Sequence, residues 1–372
     1  MQALVKLELV RVLDQDGRVV RPEWEPAIPD ADLRHIYQTM VHNSLLDEKL
    51  LRFQRQGRIG FYLTAWGEEA TLVGPTWALR PSDWIFSCYR EAGAALFRGY
   101  PLRTLLCQLY CNAKDPVKGR QLPAHHTARE LNFMSVSSVV GTQIPHAVGM
   151  AMAAKMSGSE DVSMVYFGDG ATSTGDFHVA CTMAGAHKAP CLFLCRNNGW
   201  AISTPRSDQT ATPTLAQKAI AYGIKGVLVD GNDVLALAHV TLEAAERGRR
   251  GEGATLIEAL TYRRGPHTSS DDPSAYRDPA EPREWEARDP IRRFRAYLEG
   301  KGLWSAAEEK AFVEARDQEF AALVAEVEAL PSRCLIDSMF DDVYAERPWH
   351  LDEQLGELDE EVRRHGEKSV RF

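Results

Sequence analysis

No apolar stretch in this 372-residue chain reaches the roughly 18 residues that a membrane span requires, so a spanning role is not expected. There is no surplus of positive charge either. The 43 Lys and Arg stand against 52 Asp and Glu, a formal net charge of −9, with a pI near 5.7. That balance argues against nucleic acid or an anionic membrane as the main partner. The G-x-x-x-x-G-K-[ST] phosphate loop is absent, which disfavours a Mg²⁺ phosphotransferase. No internal repeat or low-complexity tract is evident, and no His/Cys cluster has zinc-ligand spacing. The seven cysteines (Cys88, Cys107, Cys111, Cys181, Cys191, Cys195 and Cys334) include no C-x-x-C pair. Such usage is expected of reduced, buried thiols in a cytoplasmic protein. The opening residues, Met1 to Glu8, lack the charged, apolar and cleavage regions of a signal peptide, so export is not expected.

What remains is an ordinary globular composition, long enough to bury a full core. Residues 1–30 read as an extended, irregular arm ending in Pro22, Pro26 and Pro29, either wrapped on a surface or loosely ordered. Residues 31–330 read as one α/β domain and 331–372 as a charged C-terminal extension. Leu33, Ile36, Tyr37, Met40, Leu46, Leu50 and Phe53 recur at helical spacing, predicting a helix over 32–58. Further helices are expected over 67–79, 90–98, 101–112 and 143–156. Strands at 162–167, 191–195, 226–229 and 255–260 then alternate with helices at 175–188, 214–222 and 233–250. That alternation predicts a parallel sheet with helices on both faces. Residues 265–283 are rich in Ser, Asp, Pro and Arg and read as a long loop, of the kind that tends to be functional or disordered. Helices are expected again over 289–300 and 304–329.

The most informative stretch is Gly168-Asp169-Gly170, then 26 residues, then Asn197-Asn198. Apolar runs lead into both, Val162 to Phe167 and Cys191 to Cys195. Two parallel strands would bring an acid and an amide together at their carboxyl ends, the edge where ligands of open α/β sheets bind. One carboxylate and one amide oxygen are hard ligands, suited to Mg²⁺ that already carries phosphate. Flanking glycines let backbone approach a diphosphate closely.

Other segments are less telling alone. In Tyr89-Arg90-Glu91, the arginine is able to fork onto phosphate, but a surface ion pair with Glu91 or another acid explains it better. Arg196 directly precedes the asparagine pair, so its backbone already lies at the expected site. Ser135 to Pro145 is small and polar, then apolar, and suits a helix start. His267, in the polar loop, and His125, His126 and His187 read as ordinary solvated histidines.

The Gly168-Asp169-Gly170 to Asn197-Asn198 pattern resembles the thiamine diphosphate signature. That resemblance implies Mg²⁺ held by Asp169, Asn198 and the Trp200 carbonyl, with the Gly170 and Ala171 amides facing the diphosphate at the start of the following helix. In order, Gly57 to Tyr62, Gly67-Glu68-Glu69, Gly119-Arg120-Gln121, Thr142 to Pro145, Arg196 to Gly199, Ala201 to Thr204 and Ser270-Asp271-Asp272 are similar to the α subunit of the decarboxylating component of 2-oxo acid dehydrogenase complexes. The branched-chain members are the nearest in pattern.

The resemblance, over roughly residues 30–345, implies a thiamine diphosphate-binding, transketolase-like module and oxidative decarboxylation of branched-chain 2-oxo acids. It places Tyr89, Arg90 and Arg196 on the diphosphate, Ser138 and Val140 beside the cofactor rings, and His267 over the diphosphate, serving acyl transfer. Ser137, Val139, Thr142 and Gln143 match a place where some relatives hold K⁺. The implied partners are a β subunit carrying the activating glutamate, in a heterotetramer of two α and two β chains, and the lipoyl domain of a dihydrolipoyl acyltransferase. Departures are Val139-Val140 for a common Pro-Leu and Trp200 for tyrosine. Thr268 and Asp278 stand where mitochondrial relatives have regulated serines, and no such control is expected here. Pyruvate or acetoin as substrate, and a non-catalytic Mg²⁺-diphosphate scaffold, are the competing readings.

Overall fold

The apolar runs of the chain come to lie side by side in one seven-stranded sheet. The computed structural model describes residues 7–331 and 339–366. The sheet strands are β1 (Leu9–Val10), β2 (Trp84–Phe86), β3 (Phe133–Met134), β4 (Ser163–Gly168), β5 (Cys191–Asn197), β8 (Lys225–Asp230) and β9 (Thr255–Leu260), with β6 (Trp200–Ala201) and β7 (Thr204–Pro205) forming a separate small hairpin. Their order is β1-β8-β9-β5-β4-β2-β3, and every pairing within it is parallel. The helices are α1 (Asp30–Arg55), α2 (Glu69–Trp77), α3 (Ala92–Phe97), α4 (Leu102–Leu109), α5 (Gln143–Met156), α6 (Gly175–His187), α7 (Arg206–Gln209), α8 (Ala219–Tyr222), α9 (Val234–Arg249), α10 (Ala280–Glu286), α11 (Pro290–Gly300), α12 (Ala306–Glu328) and α13 (Trp349–His365).

Side chains alternate across a strand, so each central strand feeds two cores. Met164 and Tyr166 of β4 join one core with residues of α1, α2, α9 and α11. Val165 and Phe167 join the other, with residues of α5 and α6. Burial on both faces is why β4 and β5 read as unbroken apolar runs. Each such side chain, Phe193 for example, contributes about 1.5–3 kcal/mol through its burial.

Local chemistry sets several boundaries. Thr174 caps α6 by accepting from the Phe177 amide. Asp233 does two jobs. Its Oδ1 accepts from the Leu235 and Ala236 amides at the start of α9, and its Oδ2 accepts from Val12 and Leu13 at 2.7 and 2.6 Å. The N-terminal segment is thereby held on its own domain, where β1 adds a strand beside β8.

Some elements differ from expectation. Trp84 to Phe86 is strand β2, which like β1 and β3 is not foreseen, since two or three residues are too few to show an alternation. The helix expected over 214–222 is a 3-10 turn, Ala216–Lys218, and the short α8, stopped by Gly223 at a φ of 65°. The end of the expected loop and the residues after it form α10, which buries no residue and so carries no apolar stripe to be read. The charged extension contains α13, likewise without a buried residue. Residues 1–6 of the expected arm and Cys334 lie outside the described residues. Among the described residues no helix is long and apolar enough to cross a membrane.

Candidate functional site

Four strands of the sheet end in chemistry. β2 runs out into Tyr89 and Arg90, β4 into Asp169, β5 into Asn198, and β9 into Arg263. β4 and β5 are in register, Gly168 opposite Arg196, which brings the acid and the amide to neighbouring strand ends. Asp169 is 1 % exposed. Burial pushes its carboxyl up to about 6, against a hydrogen bond from Gln209 that acts the other way; Gln209 Nε2 donates to Asp169 Oδ2 at 2.8 Å. Asn198 is buried and its amide is doubly fixed. Nδ2 donates to Glu68 Oε1 at 3.1 Å, and Oδ1 accepts from the Trp200 backbone N–H at 3.2 Å. The Trp200 indole donates to Glu281 at 3.1 Å.

Gly170 and Ala171 do not begin the long helix, as the signature implied. They lie on a 3-10 turn, Asp169–Ser173, and α6 starts only after the Thr174 cap. The two glycines also differ. A Cβ on Gly168 would meet nothing within 4 Å, whereas one on Gly170 would come within 2.7 Å of Ala201 Cβ.

A cationic cluster sits at the same edge. Arg90 is 4 % exposed and Arg263 1 %. Arg90 donates to the Thr64 carbonyl at 2.9 Å and to the His267 carbonyl at 2.6 Å. Arg263 donates to the Ile202 carbonyl at 2.8 Å and to the Tyr276 hydroxyl at 3.0 Å. Both guanidinium groups reach His267 Nδ1, at 2.9 and 3.3 Å. Tyr89 meets the His267 ring edge-on, its centroid 6.0 Å away. Burial, then Arg90 and Arg263, lower the His267 pKa to about 3, so the imidazole is neutral. Asp271 positions it by accepting from the His267 backbone N–H at 2.7 Å. Among the described residues neither Arg90 nor Arg263 has a carboxylate within 4.0 Å. Two buried, uncompensated charges side by side are costly. A multiply charged anion is the partner that would neutralise them, so the donor set fits a diphosphate.

Arg196 differs. Its guanidinium is buried between Glu68, at 3.2 Å, and Glu91. Burial opposes its charge, but Glu91 and Glu68 overcome that and raise its pKa. Its positive charge is thus balanced within the chain, and the charge open to an anion comes from Arg90 and Arg263.

A family model described as the dehydrogenase E1 component matches residues 37–334. This chain belongs to the dehydrogenase E1 component family. The family is dependent on thiamine diphosphate. Among relatives, the mouse protein named 2-oxoisovalerate dehydrogenase subunit alpha, mitochondrial, is 42 % identical over 97 % of this chain and 82 % of its own. The human protein of that name is 41 % identical over 97 % of this chain and 81 % of its own. The pyruvate dehydrogenase E1 component subunit alpha of Staphylococcus epidermidis is 41 % identical over 94 % of this chain and 92 % of its own.

The rest of this E1 component's expected site lies on a more open rim. Ser138 is exposed, with Oγ 2.5 Å from His125 Nε2. Val139 and Val140 are 68 % and 46 % exposed, unusual for branched apolar residues. His125 and His126, read as solvated, are both buried, and burial lowers the pKa of each. His267, read the same way from the residues alone, is half-buried, while His187 is exposed. In the expected K⁺ segment, Gln143 is buried and its Nε2 donates to the Tyr166 carbonyl at 2.9 Å. Its Oε1 is buried with no hydrogen-bond partner among the described residues.

Arg263, Glu68 and Gln209 escaped the sequence reading. Arg263 carried a usable signal, since it follows the expected strand 255–260 and so falls on the ligand edge of a parallel sheet. Gln209 carried none and Glu68 only its place in the Gly67-Glu68-Glu69 segment, because their contacts with Asp169 and Asn198 span 40 and 130 residues of chain.

Proposed function

We propose that this chain is the α subunit of a branched-chain 2-oxo acid dehydrogenase. It would carry out thiamine diphosphate-dependent decarboxylation of branched-chain 2-oxo acids and pass the acyl group to the lipoyl domain of a dihydrolipoyl acyltransferase. The observation that carries this is the pair of buried arginines without carboxylates, beside an acid and an amide on adjacent strand ends. The names of the mouse and human relatives support the branched-chain substrate.

In this reading Asp169, Asn198 Oδ1 and the Trp200 carbonyl hold Mg²⁺. Tyr89, Arg90, Arg263 and His267 face the diphosphate with the backbone of Gly168, Gly170 and Ala171, and Ser138 and Val140 flank the rings; Arg196, its charge balanced by Glu68 and Glu91, adds only its Nε–H as a donor. The bound cofactor supplies a carbon nucleophile and an electron sink. The protein's part is to bind and orient. Arg90 and Arg263 pair with phosphate charge and keep His267 neutral, its Nδ1 accepting from them and its Nε2–H left as a donor. The unpartnered Gln143 Oε1 supports K⁺ at the Ser137 to Gln143 segment. Exposed Val139 and Val140 support a β subunit closing the rim and supplying the activating glutamate, in a heterotetramer of two α and two β chains. An arm (1–30), a cofactor domain (31–330) and an extension (331–372) remain the proposed organisation. The free cysteines Cys88, Cys107, Cys111, Cys181, Cys191 and Cys195 support a cytoplasmic setting.

The test is calorimetric titration of thiamine diphosphate with Mg²⁺ into the α–β complex, wild type against Asp169→Ala, followed by rates on branched-chain 2-oxo acids and pyruvate. Binding that the substitution abolishes, with branched acids turned over fastest, is expected. The likeness to the Staphylococcus epidermidis subunit makes pyruvate the second reading, and fastest turnover of pyruvate would establish it. Binding without turnover of any 2-oxo acid would leave the Mg²⁺-diphosphate scaffold, and no binding by the wild-type complex would overturn the cofactor reading.

A further inference from the structure

Glu68 is fully buried and spans two groups of the site. Its Oε1 accepts from Asn198 Nδ2 at 3.1 Å, and its Oε2 lies 3.2 Å from Arg196 NH1. An asparagine amide has one end that can ligate a cation and one that cannot, and its neighbours decide which end faces where. A carboxylate only accepts, so it holds the NH₂ end and leaves Oδ1 on the far side. We infer that Glu68 is a positioning residue for the metal, holding the Asn198 amide with its oxygen, and not its nitrogen, offered to Mg²⁺. This rests on the Mg²⁺ reading proposed above and deepens it, since Glu68 itself touches neither metal nor cofactor. Such outer partners of metal ligands fix ligand orientation.

The arrangement makes an unusual demand on replacement. In Glu68→Gln the new amide has one acceptor oxygen for two donors. Arg196 is a permanently charged donor, so it takes that oxygen. The NH₂ of the glutamine then faces Asn198 Nδ2, and two donors repel. Turning the Asn198 amide over relieves that clash but sets its NH₂ against the Trp200 N–H and toward the cation, so neither orientation offers Mg²⁺ a well-held oxygen. Adding Asn198→Asp removes the problem, because a carboxylate accepts from the glutamine and still offers an oxygen to the metal. The double variant also keeps the net charge of the wild type.

The experiment is titration of Mg²⁺ into the α–β complex at saturating thiamine diphosphate, with thermal unfolding measured in parallel. E68Q is expected to weaken Mg²⁺ by about 10- to 100-fold. E68Q/N198D is expected to recover to within about threefold, whatever E68Q does to the melting temperature. Should E68Q not assemble, Glu68→Asp keeps the charge beside Arg196 but withdraws the carboxylate by one methylene, and is expected to weaken Mg²⁺ in the same direction. Unchanged Mg²⁺ affinity in E68Q or E68D overturns the inference. So does a double variant as weak as E68Q, which would make Glu68 only a counter-charge for Arg196. A wild-type complex that binds no Mg²⁺ would overturn the cofactor reading beneath it, a result distinct from both.

Discussion

Arg263→Met separates binding from folding. Arg263 and Arg90 both touch His267 Nδ1, at 3.3 and 2.9 Å, so their nitrogens lie within about 6.2 Å of each other. At an effective dielectric constant of about 20, two like charges at that separation repel by about 2.7 kcal/mol, and more if closer. Without cofactor, the substitution removes this repulsion and the desolvation cost of one charge. It also forfeits the hydrogen bonds to Ile202 and Tyr276, each worth about 1–3 kcal/mol. The two effects oppose, so stability of the cofactor-free complex should change by less than about 2 kcal/mol. With diphosphate bound the arginine is one half of a buried ion pair, whose loss costs about 3–5 kcal/mol. Thiamine diphosphate affinity should therefore fall by at least about 100-fold. Denaturant unfolding of the cofactor-free complex and calorimetry with Mg²⁺ present measure the two sides. A large loss of stability with affinity kept within tenfold would refute the reasoning and make Arg263 a purely structural residue.

Three more expectations follow from the geometry. Gly170→Ala should cost about 1–3 kcal/mol by overpacking, because its Cβ would fall 2.7 Å from Ala201 Cβ; adding Ala201→Gly should restore the melting temperature, and a double variant as unstable as the single would count against the contact. His267 titrates near 3 in the fold and near 6.5 unfolded, so protonation favours the unfolded chain: stability is complete above 6.5 and lost as pH falls toward 3, by about 2 kcal/mol between pH 7.5 and 5. Unfolding curves at those two pH values should show about 2 kcal/mol more loss in the cofactor-free wild type than in His267→Gln, since His42 and His126, whose pKa values burial also lowers, contribute equally to both; equal pH dependence would mean His267 is not held neutral. Bound diphosphate neutralises Arg90 and Arg263, so cofactor should raise the His267 pKa, measurable as proton uptake when calorimetry is repeated in buffers of different ionisation enthalpy.

Much of this molecule was legible in its residue pattern. The helix over 143–156 and the strand over 255–260 fall where periodicity put them, because both are long enough to show their repeat and bury much of what they carry. Gly168-Asp169-Gly170 and Asn197-Asn198 mark a strand-end pair in the residue pattern itself, since the chemistry sits directly after apolar runs. The short strands β1, β2 and β3 were not legible as such, because their stability comes from the sheet they join. Helices α10 and α13 bury nothing and left no stripe.

The division has one physical cause. Periodicity, turn chemistry and ligand type act between residues a few positions apart, and these settled the alternating strands and helices, the strand-end location of the site and the kind of ion it suits. Which charge is paired and which is left open depends on contacts that span most of the chain. Tertiary structure alone turned Arg196 inward onto Glu68 and Glu91. It alone set Arg90 and Arg263 uncompensated around a neutral His267, because burial removes the water that would otherwise make such differences small.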